Sequence, residues 1–382
     1  MKKQVKILEV AENPSTPVDI LKALSTNNNY KVRYDVACNP STPEEILTVL
    51  AKDENENVRA AVARNPSLTE KVANILNEDH TDRVELSLAG NPKTSAKILK
   101  RLLKESYSDV QYEVAKNPGT PLDILTKLAN SEEDTVRNCV AKNPCAPPEL
   151  LIKLAPDHGF EVAGNPSAPV KALEILANDS EEYIRERAAA HPNMPVKYLE
   201  KFAAQGGKEP ELKIQAAQNP SMPKESLLSL SKDKNRSVRE SVAINPSTPI
   251  DVLLALAKDK DELVRKGVAQ NESAAVEIDQ VLSKDKDAFV RKNLAWKKSL
   301  DLSILESLAN DKSDSVRQGV ARHPKATVEI LTRLAKDADE YVRKNVATNP
   351  LTPEDLLREL SGFKNPGAQG PSVKDAKKHG SR

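Results

Sequence analysis

Nine arginines recur in one place of a repeating frame: Arg33, Arg59, Arg137, Arg185, Arg239, Arg265, Arg291, Arg317 and Arg343. Evenly spaced guanidinium groups suit two kinds of chemistry. Aligned on an open face they make a ladder for phosphate groups. Matched one to one with carboxylates they staple one structural layer to the next. The frame supplies such carboxylates at Asp53, Asp179, Asp233, Asp259, Asp285, Asp311 and Asp337. A group present in nearly every copy, opposite acids that recur as regularly, reads as a staple. Glu85 and Gln111 hold the same place and break the series.

Other reactive side chains have little catalytic pattern. The five histidines are His80, His158, His191, His323 and His379, and no two have metal-ligand spacing. His191 and His323 stand where other copies have an asparagine, which marks them as structural. The cysteines are Cys38, Cys139 and Cys145, without the paired spacing of a disulfide framework, and suit a reducing compartment. There is no glycine-rich phosphate loop and no serine or cysteine in a nucleophile motif. The acidic clusters sit where helices begin. These residues predict no catalytic site, no metal and no cofactor.

The elements that position these residues come from a unit typified by residues 39–64, N-P-S-T-P-E-E-I-L-T-V-L-A-K-D-E-N-E-N-V-R-A-A-V-A-R. Units open at Asn13, Asn39, Asn65, Asn91, Asn117, Asn143, Asn165, His191, Asn219, Asn245, Asn271, Lys297, His323 and Asn349. The step is 26 residues, except 22 after Asn143 and 28 after His191. A fixed period in this range is the mark of a repeat architecture. Of the 26 prolines, twelve hold the second place and nine the fifth, so they punctuate structure instead of signalling disorder. Thr42 is placed to cap a first helix, with Pro43 at its first turn and Glu45 completing a capping box. Ile46, Leu47 and Leu50 form its apolar stripe. A second helix starts in the acidic run Asp53 to Glu56, which complements a helix dipole, and carries a second stripe of Val58, Val62 and Ala63. The next Asn-Pro stops it. Asparagine at this stop is expected to bond its own turn backbone.

The Asn-Pro-Ser-Thr-Pro opening, with Leu-Ala and then Val-Arg-x-x-Val-Ala, resembles the leucine-rich repeat variant (LRV) family. The Asp followed six residues later by Arg, as in Asp53 and Arg59, is similar to HEAT repeats. The resemblance covers about residues 13–360. It implies an all-α, right-handed α-solenoid of about thirteen two-helix layers, preceded by a half-unit helix over residues 3–12, with shorter helices that are sometimes 3₁₀. One LRV branch carries an iron–sulfur cluster on a cysteine-rich amino-terminal module. This chain lacks that module, and the cluster is not carried over.

Departures from the unit are few. The short unit from Asn143 is expected to have a truncated second helix, and residues 205–210 a loop at Gly206-Gly207. At Asn271 and Lys297 the Asn-Pro is lost, which leaves the preceding helix free to run on. Residues 361–382 read as a disordered basic tail. With 57 basic and 56 acidic residues, no net field draws the chain to nucleic acid or a membrane. The first residues lack the apolar run of a signal peptide, and no stretch approaches the roughly 18 apolar residues of a membrane span. A cytoplasmic protein of bacterial type is expected.

Solvent-facing places of the second helix vary between units. If that helix lines a concave face, as in HEAT arrays, its twenty-second, twenty-third and twenty-sixth places make a binding stripe. These include Tyr34, Arg64, Tyr112, Lys116 and Lys142, then Lys266, Lys292, Trp296, Arg322 and Lys344. Trp296, the only tryptophan, beside Lys297 and Lys298, reads either as a partner hot spot or as packing under an irregular turn. The reading that follows is a non-enzymatic scaffold that binds a protein partner on an extended concave surface. Its oligomeric state is left open. The alternative is a nucleic-acid-binding solenoid that uses the Val-Arg-Lys triplets at 264–266, 290–292 and 342–344 together with the basic tail.

Overall fold

The structure, a computed structural model, describes residues 2–105, 108–204 and 210–361. Among the described residues there are 28 helices and no strand. Helix Lys2–Glu12 is followed by helix pairs from Val18–Leu24 with Tyr30–Cys38 to Val328–Leu334 with Glu340–Thr348, and then by Glu354–Ser361. The helices fall into two compact units, one up to Tyr198 and the other from Leu199. All described helices are α-helical; bonds of 3₁₀ type occur at their ends, as from Ile46 N to Pro43 O (3.0 Å), and in the turns between them, as from Thr42 N to Asn39 O (3.1 Å). The expected Gly206-Gly207 loop and the tail beyond Ser361 lie outside the described residues.

In the unit from Asn39 the first helix is Glu44–Leu50 and the second Glu56–Arg64. Seven- and nine-residue helices are too short to hold in water. Burial supplies what is missing. Ile46, Leu47, Leu50, Val58, Val62 and Ala63 are all 5 % exposed or less, and each large aliphatic side chain so buried contributes about 1.5–3 kcal/mol. Second helices of successive repeats pack directly on one another, while first helices touch far less. Where glycine stands on the second helix the fit is tight. A Cβ on Gly267 or Gly319 would lie 3.0 Å from Ala243 Cβ or Ala295 Cβ.

The capping differs from the sequence expectation. Pro43 is the N-cap, extended at ψ 159, so the helix starts one residue later than a Thr42 cap requires. Thr42 instead is buried and its hydroxyl donates to Val36 O (2.6 Å), a carbonyl at the end of the preceding second helix that otherwise accepts only a long bond from Asn39 N (3.3 Å). Thr94, Thr120 and Thr248 do the same to Leu88, Val114 and Val242. Where the fifth place is threonine or aspartate, its side chain caps the helix: Thr69 accepts from Val72 N and Asp301 from Ser303 N. The acidic run is also reassigned. Asn55 caps the second helix by accepting from Asn57 N, and Asp53 accepts from Asn55 N to close the turn (2.9 Å each).

Two ladders tie neighbouring repeats. The asparagine ladder does what was expected and more: Asn65 Oδ1 accepts from Ser67 N in its own turn (2.7 Å). Its Nδ2 also reaches back and donates to Asn39 O of the previous repeat (3.0 Å) and to Ala37 O, in the second helix before it (2.7 Å). Asn39, Asn91, Asn117, Asn143, Asn165, Asn245, Asn271 and Asn349 repeat this pair of donations. In the arginine ladder, Arg265 donates from Nη1 to Asp259 O in its own turn (2.9 Å) and from Nε to Asp285 Oδ2 of the next repeat (2.7 Å). Arg33, Arg59, Arg239, Arg291 and Arg317 make the same link to Asp53, Asp79, Asp259, Asp311 and Asp337. The staple reading is therefore correct for these rungs. The Arg317 guanidinium holds the Asp337 carboxyl below the ordinary carboxylate range.

The irregular units keep both ladders with other chemistry. The short unit has the truncated second helix expected, Gly159–Ala163. There His158 replaces the aspartate: its Nε2 accepts from Arg137 Nε (3.1 Å) and its Nδ1 pairs with Asn138 Oδ1 (2.9 Å). Before Lys297 the second helix does not run on. Ala288–Leu294 ends two residues earlier than its counterparts, in a turn closed from Lys297 N to Leu294 O (3.0 Å). The next turn is held by Glu272, in the place of the lost proline, whose carboxylate accepts from Lys298 N (3.1 Å) and Ser299 N (3.0 Å).

Candidate interaction surface

The repeated letters of the unit are largely consumed by these internal contacts. What remains for outside chemistry is the exposed flank of each second helix, and the structure places the candidate residues there. Tyr34, Lys266 and Lys292 are half-buried, and Arg64, Tyr112, Lys116, Lys142, Trp296, Arg322 and Lys344 are exposed.

Three of them converge. Tyr112 and Lys116 from helix Ser108–Lys116, and Lys142 from helix Asp134–Lys142, line one cleft of about 360 Å³ with Asn138 and Cys139. Lys116 Nζ lies 4.8 Å from the Tyr112 ring centre and 3.4 Å from Glu113 Oε1. Lys142 Nζ is 3.6 Å from Glu161 Oε1. Both pairs are solvated and weak, so the ammonium groups stay available to an incoming anion. Burial pushes the Cys139 thiol up, so it is a wall of the cleft and not a nucleophile.

A second cluster surrounds Trp296, which is 48 % exposed. Lys292 Nζ stands 5.0 Å from its ring centre. A Cβ on Gly319 would meet its Nε1 at 3.1 Å, so the indole rests against the next repeat with its other side open. Neither sequence reading of Trp296 is complete: it packs and it is presented. Tyr34 pairs with Cys38, and that hydrogen bond with burial raises the phenol above its ordinary range.

The basic strip is less basic than its letters. Arg265 and Arg291 are spent on the ladder, and Arg343 donates to Asp337 O and Ala338 O (2.6 and 2.9 Å). Lys266 pairs with Glu240 (2.8 Å), and Arg322 donates to Asn345 Oδ1 (2.9 Å).

Two pairings and one buried acid were not found by reading the sequence. Lys213 replaces the ladder arginine and meets Asp233 (2.6 Å), hidden by the two-residue insertion that shifts its place. Asp279 and Lys297 form a buried ion pair (2.7 Å). The signal was present, since Asp279 stands where the other units have leucine or alanine. Burial pushes its carboxyl above the ordinary range, and Lys297 opposes that rise. Asp35 lies buried on the second helix of the first pair, at a place that varies between units, from Ala61 and Ser87 to Glu113 and Arg187.

Among the described residues no three His, Cys, Asp or Glu side chains are grouped to hold a metal ion, and no helix is long and apolar enough to cross a membrane. No family model and no curated protein matches the chain. Solved structures similar to it include a leucine-rich repeat variant with a novel repetitive structural motif, at 25 % identity and TM-score 0.37, over 58 % of this chain and 88 % of that one. An engineered protein is similar at 17 % identity and TM-score 0.25, over 93 % of this chain and 94 % of that one. Kap95p, in a structure with RanGDP, is similar at 12 % identity and TM-score 0.31, over 91 % of this chain and 52 % of that one.

Proposed function

We propose that this chain is a non-enzymatic cytoplasmic scaffold that docks a protein partner along the exposed flank of its second helices. The observation that carries the reading is the cleft of Tyr112, Lys116 and Lys142, where variable residues of two adjacent repeats meet. A tyrosine ring beside one ammonium group, with a second lysine lining the same cleft, offers apolar area and charge together, the composition of an interface hot spot. Trp296 with Lys292 offers the same pairing in the other unit. The histidines His158, His191 and His323 are engaged in contacts between repeats, which fits a structural role for each.

The test is affinity capture from the native host with wild type and with a Tyr112→Ala, Lys116→Ala, Lys142→Ala variant of unchanged melting temperature. The expected result is a protein retained by wild type and lost, at least tenfold, by the variant. Equal retention by both, or no protein retained, overturns the reading. So does tight duplex-DNA binding with a steep salt slope that is lost in a Lys266→Ala, Lys292→Ala, Lys344→Ala variant.

A further inference from the structure

The second-helix flank of the first pair carries an acid that no described residue neutralises. Asp35 is 8 % exposed, yet among the described residues its carboxylate has no hydrogen-bond or ion-pair partner. The buried acids of the ladder all have cations: Asp53 has Arg33, Asp259 has Arg239, Asp285 has Arg265. Asp279 has Lys297. An unpaired buried carboxylate is expensive, and proteins keep such groups where a ligand completes them. Burial, and then the Glu12 carboxylate, push the Asp35 carboxyl up to about 6.

Asp35 does not face a closed core. It lines a cleft of about 450 Å³ together with Glu12 from helix Lys2–Glu12, Tyr30, Lys31 and Tyr34 from helix Tyr30–Cys38, and Asn57 from helix Glu56–Arg64. Two carboxylates set the charge of the ligand as positive. Two tyrosine rings favour an organic cation, which gains from a ring face and sheds water more readily than a metal ion. A metal ion is short of ligands, since no third His, Cys, Asp or Glu joins the pair among the described residues. Lys31 lines the same cleft but makes no ion pair with either acid. The cleft has room for the end of a long side chain.

We propose that Asp35 and Glu12, flanked by Tyr30 and Tyr34, form a receptor for the guanidinium or ammonium group of an arginine or lysine side chain on a protein partner. The source of that group rests on the scaffold reading; the receptor itself does not. Its geometry complements the Tyr112 cleft, which offers cations where this one offers anions.

The site is tested on the full chain by following backbone amide shifts at about pH 7.5, above the Asp35 titration, at constant ionic strength. The probes are ethylguanidinium, a blocked Gly-Gly-Arg-Gly-Gly peptide and spermidine. Saturable shifts at Tyr30, Tyr34 and Asp35 are expected with ethylguanidinium and the peptide, weakened at least tenfold by Asp35→Asn and little changed by Lys31→Ala. Asparagine is safe at this place, because Asn293 and Asn345 hold it, buried, in other repeats. Absence of saturable shifts, or equal binding by a folded Asp35→Asn variant, overturns the receptor. Spermidine binding tenfold tighter than the peptide overturns its assignment to a protein side chain. Probe binding together with failed partner capture leaves the receptor standing and removes the scaffold.

Discussion

His191 and His323 show what one turn position demands of a side chain. In place of asparagine, His191 Nδ1 accepts from Asn193 N (3.1 Å) and Nε2 donates to Asn165 O (3.0 Å). His323 does the same with Lys325 N and Lys297 O. Only the neutral ring with its proton on Nε2 fits, because a proton on Nδ1 would face an N–H. Burial lowers both pKa values below the ordinary 6.5. The folded state thus binds fewer protons than the unfolded one in this range. The stabilisation is full above about pH 6.5 and is lost as pH falls through the lowered values. A His191→Asn, His323→Asn variant keeps both bonds without the titration. Its urea midpoint is expected to fall less than that of wild type between pH 7.5 and 5; an equal fall would show that the rings are not neutral in the fold.

At the scale of elements, the seam between helices Val276–Leu282 and Ala288–Leu294 carries a paired exchange. The frame calls for leucine at 279 and asparagine at 297, and the chain has Asp279 and Lys297 instead. Lys297 Nζ donates to both Asp279 oxygens (2.9 and 2.7 Å) and to Ala274 O (2.9 Å), all buried. Removing one partner strands a buried charge, which costs about 3–5 kcal/mol, whereas replacing both by a well-packed apolar arrangement is often neutral or better. Asp279→Leu and Lys297→Asn are each expected to destabilise by about that amount in chemical denaturation. The double variant, which restores the common unit, should return to within about 1 kcal/mol of wild type or exceed it. Additive single losses would show that the two residues act independently.

At the scale of the molecule, stability in such an array is close to a sum of repeat terms and neighbour terms, so its weak points are the seams with a missing rung. One lies where Gln111 and Ser131 replace arginine and aspartate. Ser131 Oγ stands 3.4 Å from Gln111 Oε1, and a cleft of about 540 Å³ occupies the space beside them. Another lies at Glu85, where the charge is reversed and Arg101 arrives from the following first helix instead (2.9 Å). Gln111→Arg with Ser131→Asp has room to build the absent rung. It is expected to add about 1 kcal/mol and raise the melting temperature by about 2–4 °C. The single changes should not do so, and an unchanged double variant would mean that the rungs contribute little.

Much of the fold was legible in the letters, because local chemistry repeated every 26 residues specifies local structure. The period, the helix pairs, the apolar stripes, the short helix after His158 and the structural role of His191 and His323 all follow from propensity, spacing and turn geometry. Contacts between repeats were legible only in part. The arginine staples could be read because both partners recur. The second bond of each asparagine, the reach of Thr42 to Val36 O and the return of Lys297 to Asp279 were not, since each depends on where a neighbouring backbone or side chain comes to rest. The candidate surface divides in the same way. Variability marked Tyr112, Lys116 and Lys142 as solvent-facing, but only the packing of adjacent second helices brings them into one cleft. Asp35 holds the twenty-third place, which was expected to face solvent; the tertiary structure alone buries it without a partner among the described residues, because burial is a property of neighbours and not of sequence.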